Sequence, residues 1–560
     1  KGYAISLSGK CPCEFHFISS RQRQSEMGII MEERGKEAIR NGQAILGMEF
    51  GSTRIKAVLI DDTHQPLAVG VYDWENRLEN HIWTYRLEDI RKGLQGCYAS
   101  LKKQVMEKYG EKLTRIAAMG FSGMMHGYMP FDRNGKLLVP FRTWRNTMTA
   151  QAAGKLTDVF QFPIPQRWSI AHLYQAILNE EEHVKEIAHM TTLAGYIHWQ
   201  LTGEKILGVG EASGMFPVDT AAKDFDPRML QRFDALVEEK KYPWKLRAIL
   251  PKIKYAGECA GKLTQDGALF LDPDGDLLSG ALLCPPEGDA GTGMVATDSV
   301  AVRTGNVSAG TSVFAMVVLE HPLSKMHEEL DMVTTPAGDP VAMAHCNNCT
   351  SDLNTWVELF REFAEKIGMR IEKDELYRIL FRAALDGRKD CGGLLSYNYD
   401  SGEPVTGLEE GRPLFVRRPD ADFSLANFMR THLYSSLASL KIGMDILLRE
   451  ENLKVDSLTG HGGLFKTPEV GQSILAAALN VPITVMDTAG EGGAWGMAIL
   501  AQYMAEKKGE SLAEYLSEKT FADRTGTTMR PDTEDVAGFE TFIRSYIACL
   551  PVEKAAVKNF

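Results

Sequence analysis

Two segments of this chain have the residues to grip a phosphate. In the first, Ile45-Leu46-Gly47-Met48-Glu49-Phe50 runs into Gly51-Ser52-Thr53 and then Arg54-Ile55-Lys56-Ala57-Val58-Leu59-Ile60. In the second, Asn306-Val307-Ser308-Ala309 runs into Gly310-Thr311-Ser312 and then Val313-Phe314-Ala315-Met316-Val317-Val318-Leu319. Each predicts a strand, a tight turn and a second strand, because apolar residues alternate or run on without a break on both sides. Glycine lets the backbone come close to a phosphate oxygen, and the neighbouring amides and hydroxyls donate to it. One such turn is an ordinary hairpin. Two copies in separate halves point to a duplicated fold that holds a nucleoside triphosphate between its lobes.

Three further segments carry groups able to do chemistry. Gly120-Phe121-Ser122-Gly123-Met124-Met125-His126-Gly127 is followed by Phe141-Arg142-Thr143-Trp144-Arg145-Asn146-Thr147; Glu287-Gly288-Asp289-Ala290-Gly291 precedes the second hairpin; His461-Gly462-Gly463-Leu464-Phe465-Lys466 and Gly490–Gly496 come late. Taken singly, His126 reads as a satisfied structural histidine, Asp289 as a turn residue in a Gly-rich loop and Lys466 as a solvated side chain.

The elements that must position these groups follow from the pattern. Asp61–Pro66 predicts a polar turn and Leu67–Tyr72 a third strand; Leu87–Tyr109 has helical spacing, and Arg115–Phe121 reads as a strand. Asn134-Gly135 signals a hairpin turn, while Ile170–Asn179 and Glu181–Thr202 read as helices. A boundary is expected within Cys284–Thr297, with Val300–Arg303 opening the second half. There Asp352–Ile367 predicts a helix, Asp390–Pro419 loops, and Leu425–Glu450 a long amphipathic helix. Val455–Thr459, Pro468–Leu479 and Ile483–Met486 predict a strand–helix–strand unit.

At 560 residues the chain fits two large domains. A net charge of −12 argues against a nucleic-acid or anionic-membrane partner, so any phosphate site must be built locally from amides, hydroxyls and metal. No run of about 18 apolar residues predicts a membrane span. Nine cysteines, odd in number and scattered, fit a reducing, cytoplasmic setting. Cys11 and Cys13 with His16, and His345-Cys346 with Cys349, each lack the second pair that a structural zinc site needs. Lys1 is not an initiator and Met27 or Met31 is the expected start, so 1–43 is expected to be an extension or leader helix outside the catalytic fold.

In their order along the chain, these blocks resemble the FGGY carbohydrate kinase family over nearly everything from Ile45 to Gln502. The resemblance implies an α/β protein of two ribonuclease-H-like domains, of the actin and hexokinase superfamily, with a cleft between them. It divides the chain into a sugar-binding domain at 44–296 and a nucleotide-binding domain at 297–560. It implies ATP and Mg²⁺ as cofactors and a small sugar as substrate, and it leaves a homodimer open. Gly51, Ser52, Thr53 and Lys56 match the first phosphate loop, and Gly310 and Thr311 the second; Gly462, Gly463 and Lys466 belong with Gly490–Gly496 to the adenosine wall. Glu49 stands where the family has a metal-holding Asp, and Asp289 takes the place of the catalytic base. Met125, His126, Trp144, Arg145, Asn146 and Gly288 are the implied sugar-binding residues. The Met-His-Gly spelling looks most like xylulokinases, which usually carry Asp at the position of Asn146 and Lys at that of His172. Ribulokinase is a second reading within the family. A non-catalytic, nucleotide-driven binding protein of the same superfamily is a third.

Overall fold

The computed structural model describes residues 32–488, 490 and 492–560. Met27, Met31 and the Cys11, Cys13 and His16 group lie outside the described residues. Residues 32–40 form a helix whose Ala38 and Ile39 are buried with Leu46, Leu59 and Tyr109, and Arg40 bonds Glu111 at 2.7 Å. The part of the expected extension that is described is therefore built into the first lobe.

Two mixed sheets organise the molecule. In the first, Ile45–Phe50 pairs antiparallel with Arg54–Ile60, which pairs antiparallel with Pro66–Asp73; on its other side Ile45–Phe50 lies parallel to Ala118–Gly123. The second sheet repeats this. Thr304–Ala309 pairs antiparallel with Val313–Val318, which pairs antiparallel with Pro340–Cys346, and it lies parallel to Ser457–His461. The duplication read from the two hairpins is thus a duplication of the sheet core. It sets equivalent positions side by side: Glu49 pairs with Lys56 and Ser122, and Ser308 with Phe314 and His461.

Leu87–Tyr109 forms the expected helix and packs against Pro66–Asp73. Gly492–Glu506, a helix of the second half, covers Ile45–Phe50 and Ala118–Gly123 and packs on the helix Asp289–Ala296. That approach needs Gly47, where a Cβ would run into the backbone of Ala494 and Ala498. One apolar cluster accordingly joins both halves, with Ala494, Trp495 and Met343 beside Val58, Trp168 and Met294.

Three sequence expectations are corrected. Glu181–Thr202 is not one helix: a short 3-10 turn at Glu182–Glu186 is followed by the strand His189–Thr191, paired with Met129–Phe131, and only Leu193–Thr202 is α-helical. The adjacent β-branched Thr191 and Thr192 favour extended backbone at that point. Asp390–Pro419 contains a hairpin, Leu394–Tyr397 against Leu414–Arg417. Leu425–Asp445 continues into a π-helical turn at Ile446–Glu450, and it is buried on every side, between the second sheet and the helix Val470–Leu479, instead of amphipathic. Its polar side chains are satisfied inside: Ser435 donates to the Ser396 carbonyl at 2.7 Å and Arg430 bonds Asp535 at 2.5 Å. Two strands are displaced, to Ala118–Gly123 and Ser457–His461. No helix among the described residues is long and apolar enough to cross a membrane.

Candidate active site

A cavity of about 480 Å³ opens between the two hairpins and takes its walls from both lobes. The first lobe contributes Glu49, Ser52, Met124, Met125, His126, Trp144, Arg167 and Asp289. The second contributes Ser308, Ser312, Phe314, Met343, His345, His461 and Gly493. The sheet duplication explains the arrangement. Glu49 and Ser308 are the penultimate residues of the two equivalent first strands, and both face this cavity.

Asp289 is the first residue of the helix Asp289–Ala296, directly after Glu287–Gly288 extends the first sheet alongside Ser122–Gly123. Its Oδ1 accepts from the amides of Met125 (3.3 Å) and Ala290 (2.9 Å), which orients the carboxylate. Burial pushes its pKa up to about 6, against the pull of those amides. A carboxylate so tuned is still ionised at neutral pH and more basic than a free one, as a proton acceptor should be.

Glu49 lies close enough to Asp289 to feel its charge. Burial, then Asp289, raise the Glu49 pKa to about 8, while Lys56 and the Thr292 hydroxyl oppose the shift. Two neighbouring, destabilised carboxylates in a cavity that Ser52 and Ser308 also line suit a small hard cation. Mg²⁺ is characteristically held by one or two carboxylates together with water and phosphate oxygens. The residues present therefore fit Mg²⁺, with Glu49 and Asp289 as the groups that would hold it, directly or through water. Lys56 reaches across to the Gly490 carbonyl at 3.3 Å.

At the other end of the cavity His126 adopts φ 70°, a left-handed conformation that is costly for a bulky residue. It is held there by two contacts. Its ring stacks on Trp168, with centroids 6.2 Å apart, and its Nδ1 lies 2.9 Å from the Gly214 carbonyl. A carbonyl only accepts, so Nδ1 carries the proton and Nε2 keeps its lone pair. Burial, aided by the charge of Arg167, lowers the His126 pKa to about 3, so the ring is neutral. Met125 and Gly288 pack together at this wall, where a Cβ on Gly288 would run into the Met125 side chain.

The structure does not bring all the expected residues into this cavity. Asn146 is buried, and its amide is used up on backbone: Oδ1 accepts from Trp83 N at 2.9 Å, and Nδ2 donates to the carbonyls of Trp83 (2.8 Å) and Thr143 (2.9 Å). Arg145 lies over the Trp83 ring at 4.1 Å and donates to Asn76 at 3.1 Å. His172 is buried against Tyr128 in the core of the first lobe. Gly51, Thr53, Gly310 and Thr311 form the turn tips, and the cavity walls there are Ser52 and Ser312. The expected adenosine wall divides. Gly492 and Gly493 face the Asp289 cavity, while Gly463 and Lys466 line a second one of about 680 Å³ with Thr350, Asn354, Tyr377 and Phe381. Gly462, between them, runs against the Ala309 backbone. Between the residues of the two cavities, at the second hairpin, the Gly310 carbonyl accepts from Thr350 N (3.0 Å) and Oγ1 (2.7 Å).

Sequence reading missed Arg167, Ser308, Phe314, Met343 and His345. Ser308 and Phe314 lay within the second hairpin motif; the others reach the cavity from loops and strands distant in sequence. His345 projects into the cavity while its neighbour Cys346 is buried in the opposite core, so the two do not converge on one metal.

Residues 44–271 match the N-terminal domain of the FGGY family of carbohydrate kinases, and residues 305–505 match its C-terminal domain. The xylulose kinase of Haemophilus influenzae is 20% identical over 518 residues, which cover 90% of this chain and 99% of that protein. The structure of a xylulose kinase from Rhodospirillum rubrum superposes with a TM-score of 0.74 at 16% identity, covering 91% of this chain and 98% of that one. A gluconate kinase from Lactobacillus acidophilus superposes with a TM-score of 0.72 at 16% identity over 91% and 98%. The two sheets are thus the two actin/hexokinase-like domains of such kinases. The matches to both family domains, on a structure with two equivalent hairpins and carboxylates in the cavity between them, place the chain in the FGGY family: it is a carbohydrate kinase.

Proposed function

We propose that this kinase transfers the γ-phosphoryl group of ATP to a terminal hydroxyl of a small ketose, as a xylulokinase does. The observation that carries the reading is the convergence, in one cavity, of Asp289, both phosphate hairpins and the His126–Trp144 wall. Trp144 offers a flat apolar face to a sugar, and Nε2 of His126 accepts from a hydroxyl. In this reading adenosine occupies the 680 Å³ cavity, the phosphates pass the Gly310–Thr350 junction, and the γ-phosphate lies between Ser52 and Ser312.

Asp289 takes the proton of the acceptor hydroxyl as its oxygen bonds to the γ-phosphorus, and the bond to the β-phosphate bridging oxygen breaks, releasing ADP. Mg²⁺ bound at Glu49 and Asp289 would supply charge neutralisation for the phosphates.

The departures at Asn146 and His172 do not weigh against xylulose, since neither side chain lines the cavity. An assay of ADP release over ketopentoses, ketohexoses and polyols tests the proposal. D-Xylulose is expected among the best acceptors, and ADP release that no ketose raises above the sugar-free rate would overturn the reading.

Two further outcomes follow from the site. His126→Ala should raise KM for the acceptor by roughly 5- to 10-fold, the worth of about 1 kcal/mol for one hydrogen bond, and leave ADP affinity unchanged. Calorimetry showing the reverse pattern would remove His126 from the sugar wall. Because Asp289 must be unprotonated to accept a proton and its pKa is near 6, kcat/KM should fall as pH drops through about 6. A flat profile from pH 5 to 7 would contradict that role.

A further inference from the structure

The two hairpin turns are held from behind by different means. In the first, the carbonyls of Gly51 and Ser52 accept from Trp74 Nε1 (2.7 Å) and the Tyr85 hydroxyl (2.6 Å), whose rings stack with centroids 4.2 Å apart. In the second, a loop does the holding. Cys349 N donates to the Thr311 carbonyl at 3.0 Å, and Thr350 holds the Gly310 carbonyl through its amide and its hydroxyl. A trans peptide points its carbonyl and the following N–H in opposite directions. Fixing the carbonyls of Gly310 and Thr311 therefore turns the amides of Thr311 and Ser312 away from the loop. Neither amide finds an acceptor among the described residues, and Ser312 lines the Asp289 cavity.

That loop, residues 347–350, rests in turn on the segment that follows the strand Leu394–Tyr397. Glu403 is fully buried there, and its carboxylate accepts from three N–H groups: Asn347 N (3.3 Å), Asn348 N (3.2 Å) and Asn348 Nδ2 (3.1 Å). Asn348 Oδ1 accepts from Ser401 N at 3.0 Å, and Asn398 Nδ2 donates to the Cys349 carbonyl at 2.8 Å. A carboxylate suits this place because it only accepts and can serve several donors at once. Bonds to its ionised form are also stronger than neutral ones. Burial raises the Glu403 pKa to about 7 against the pull of these donors, so the group is ionised on the alkaline side of neutrality.

We propose that Glu403 is a positioning residue for phosphoryl transfer: through the loop 347–350 it aims the amides of Thr311 and Ser312 at the phosphates of the nucleotide. This rests on the reading above that the second hairpin faces the phosphates, and adds what sets its aim. Buried as it is, Glu403 touches neither substrate, and its influence passes through the loop alone.

The test measures two affinities by calorimetry at about pH 8.5, where the carboxylate is ionised. One probe is adenosine, which has no phosphate. The other is the β,γ-imido analogue of ATP with Mg²⁺, which keeps three phosphates and is not turned over. The parent is expected to prefer the analogue by about 100-fold or more, the worth of two bonds to a charged group. Glu403→Gln keeps the shape but sets an NH₂ against the Asn347 or Asn348 donors, and should shrink that preference by about 10-fold. Adenosine affinity and KM for the ketose should stay within about twofold of the parent, while kcat falls by about 10-fold or more. A residue that serves the fold alone would lower the melting temperature and keep the parent's ratio of affinities, and that result overturns the proposal while sparing the kinase reading. A parent that binds adenosine as tightly as the analogue would take phosphate away from the second hairpin, and this proposal falls with it. Should Glu403→Gln not fold, Asn348→Ala removes one of the three donors and the bond to Ser401. It should shrink the ratio in the same direction, and an unchanged ratio in that variant also overturns the proposal.

Discussion

Asp289→Asn is expected to lower kcat by a factor of about 10² to 10⁴, or roughly 3–5 kcal/mol of barrier, with binding of both substrates retained. The amide is nearly isosteric. Its oxygen can still accept from the amides of Met125 and Ala290, which now fix Oδ1 at 3.3 and 2.9 Å. Its nitrogen would then face the acceptor hydroxyl, to which it can donate but from which it cannot take a proton. A loose transition state needs the proton removed only late, which favours the lower part of the range. The acidic limb of the pH profile should vanish together with the activity. Glu287 cannot stand in: it is buried behind the site, its Oε2 accepts from Glu211 N at 2.9 Å, and burial raises its pKa to about 8. The measurement is kcat at saturating ATP, Mg²⁺ and the best ketose; a variant within about threefold of the parent, far short of a general-base factor, would remove Asp289 from its role.

What could be read in the sequence depended on whether the signal was local. Leu87–Tyr109 and Ile483–Met486 fall where the spacing places them, since an apolar stripe or a short β-branched run is a property of the segment itself. The hairpins were legible for the same reason, and their repetition disclosed the duplicated sheets. The helix Gly492–Glu506 was not: its start resembles a glycine loop, and its burial on nearly every side leaves no amphipathic stripe to detect. Likewise the motif residues Glu49, His126 and Asp289 do meet in one cavity, whereas Asn146, in the same sequence block as Trp144, spends its amide on the backbone of Trp83 and Thr143. Arg167 and His345 could not be found, because only the closing of one lobe on the other makes them neighbours. A sequence motif marks what a strand end or helix start carries, but not what the opposite lobe brings to it.

Gly493→Ala should lower turnover by about 10²-fold, the scale of a misplacement of about 1 Å at a reacting centre. Gly493 sits in the first turn of the helix Gly492–Glu506, and a Cβ there would occupy the place of Oε2 of Glu49 and press on the Thr292 hydroxyl at 2.7 Å. The atom displaced is the tip of a flexible side chain, so the cost should fall on function more than on the fold, and the melting temperature should move by only a few degrees. The longer acid of this chain and its glycine thus form a matched pair, for Glu carries its carboxylate about 1.5 Å further than Asp would. Glu49→Asp alone should weaken Mg²⁺ dependence modestly, through lost reach. Combined with Gly493→Ala it should restore much of the lost activity, because the shorter carboxylate withdraws from the new methyl group. The checks are kcat across a Mg²⁺ titration and thermal melting for the two single variants and the double. Full activity in Gly493→Ala would show that the position of the Glu49 carboxylate is unimportant. A double variant no better than Gly493→Ala would place the damage in the helix and not in the acid, for which Thr292 is the next contact to relieve.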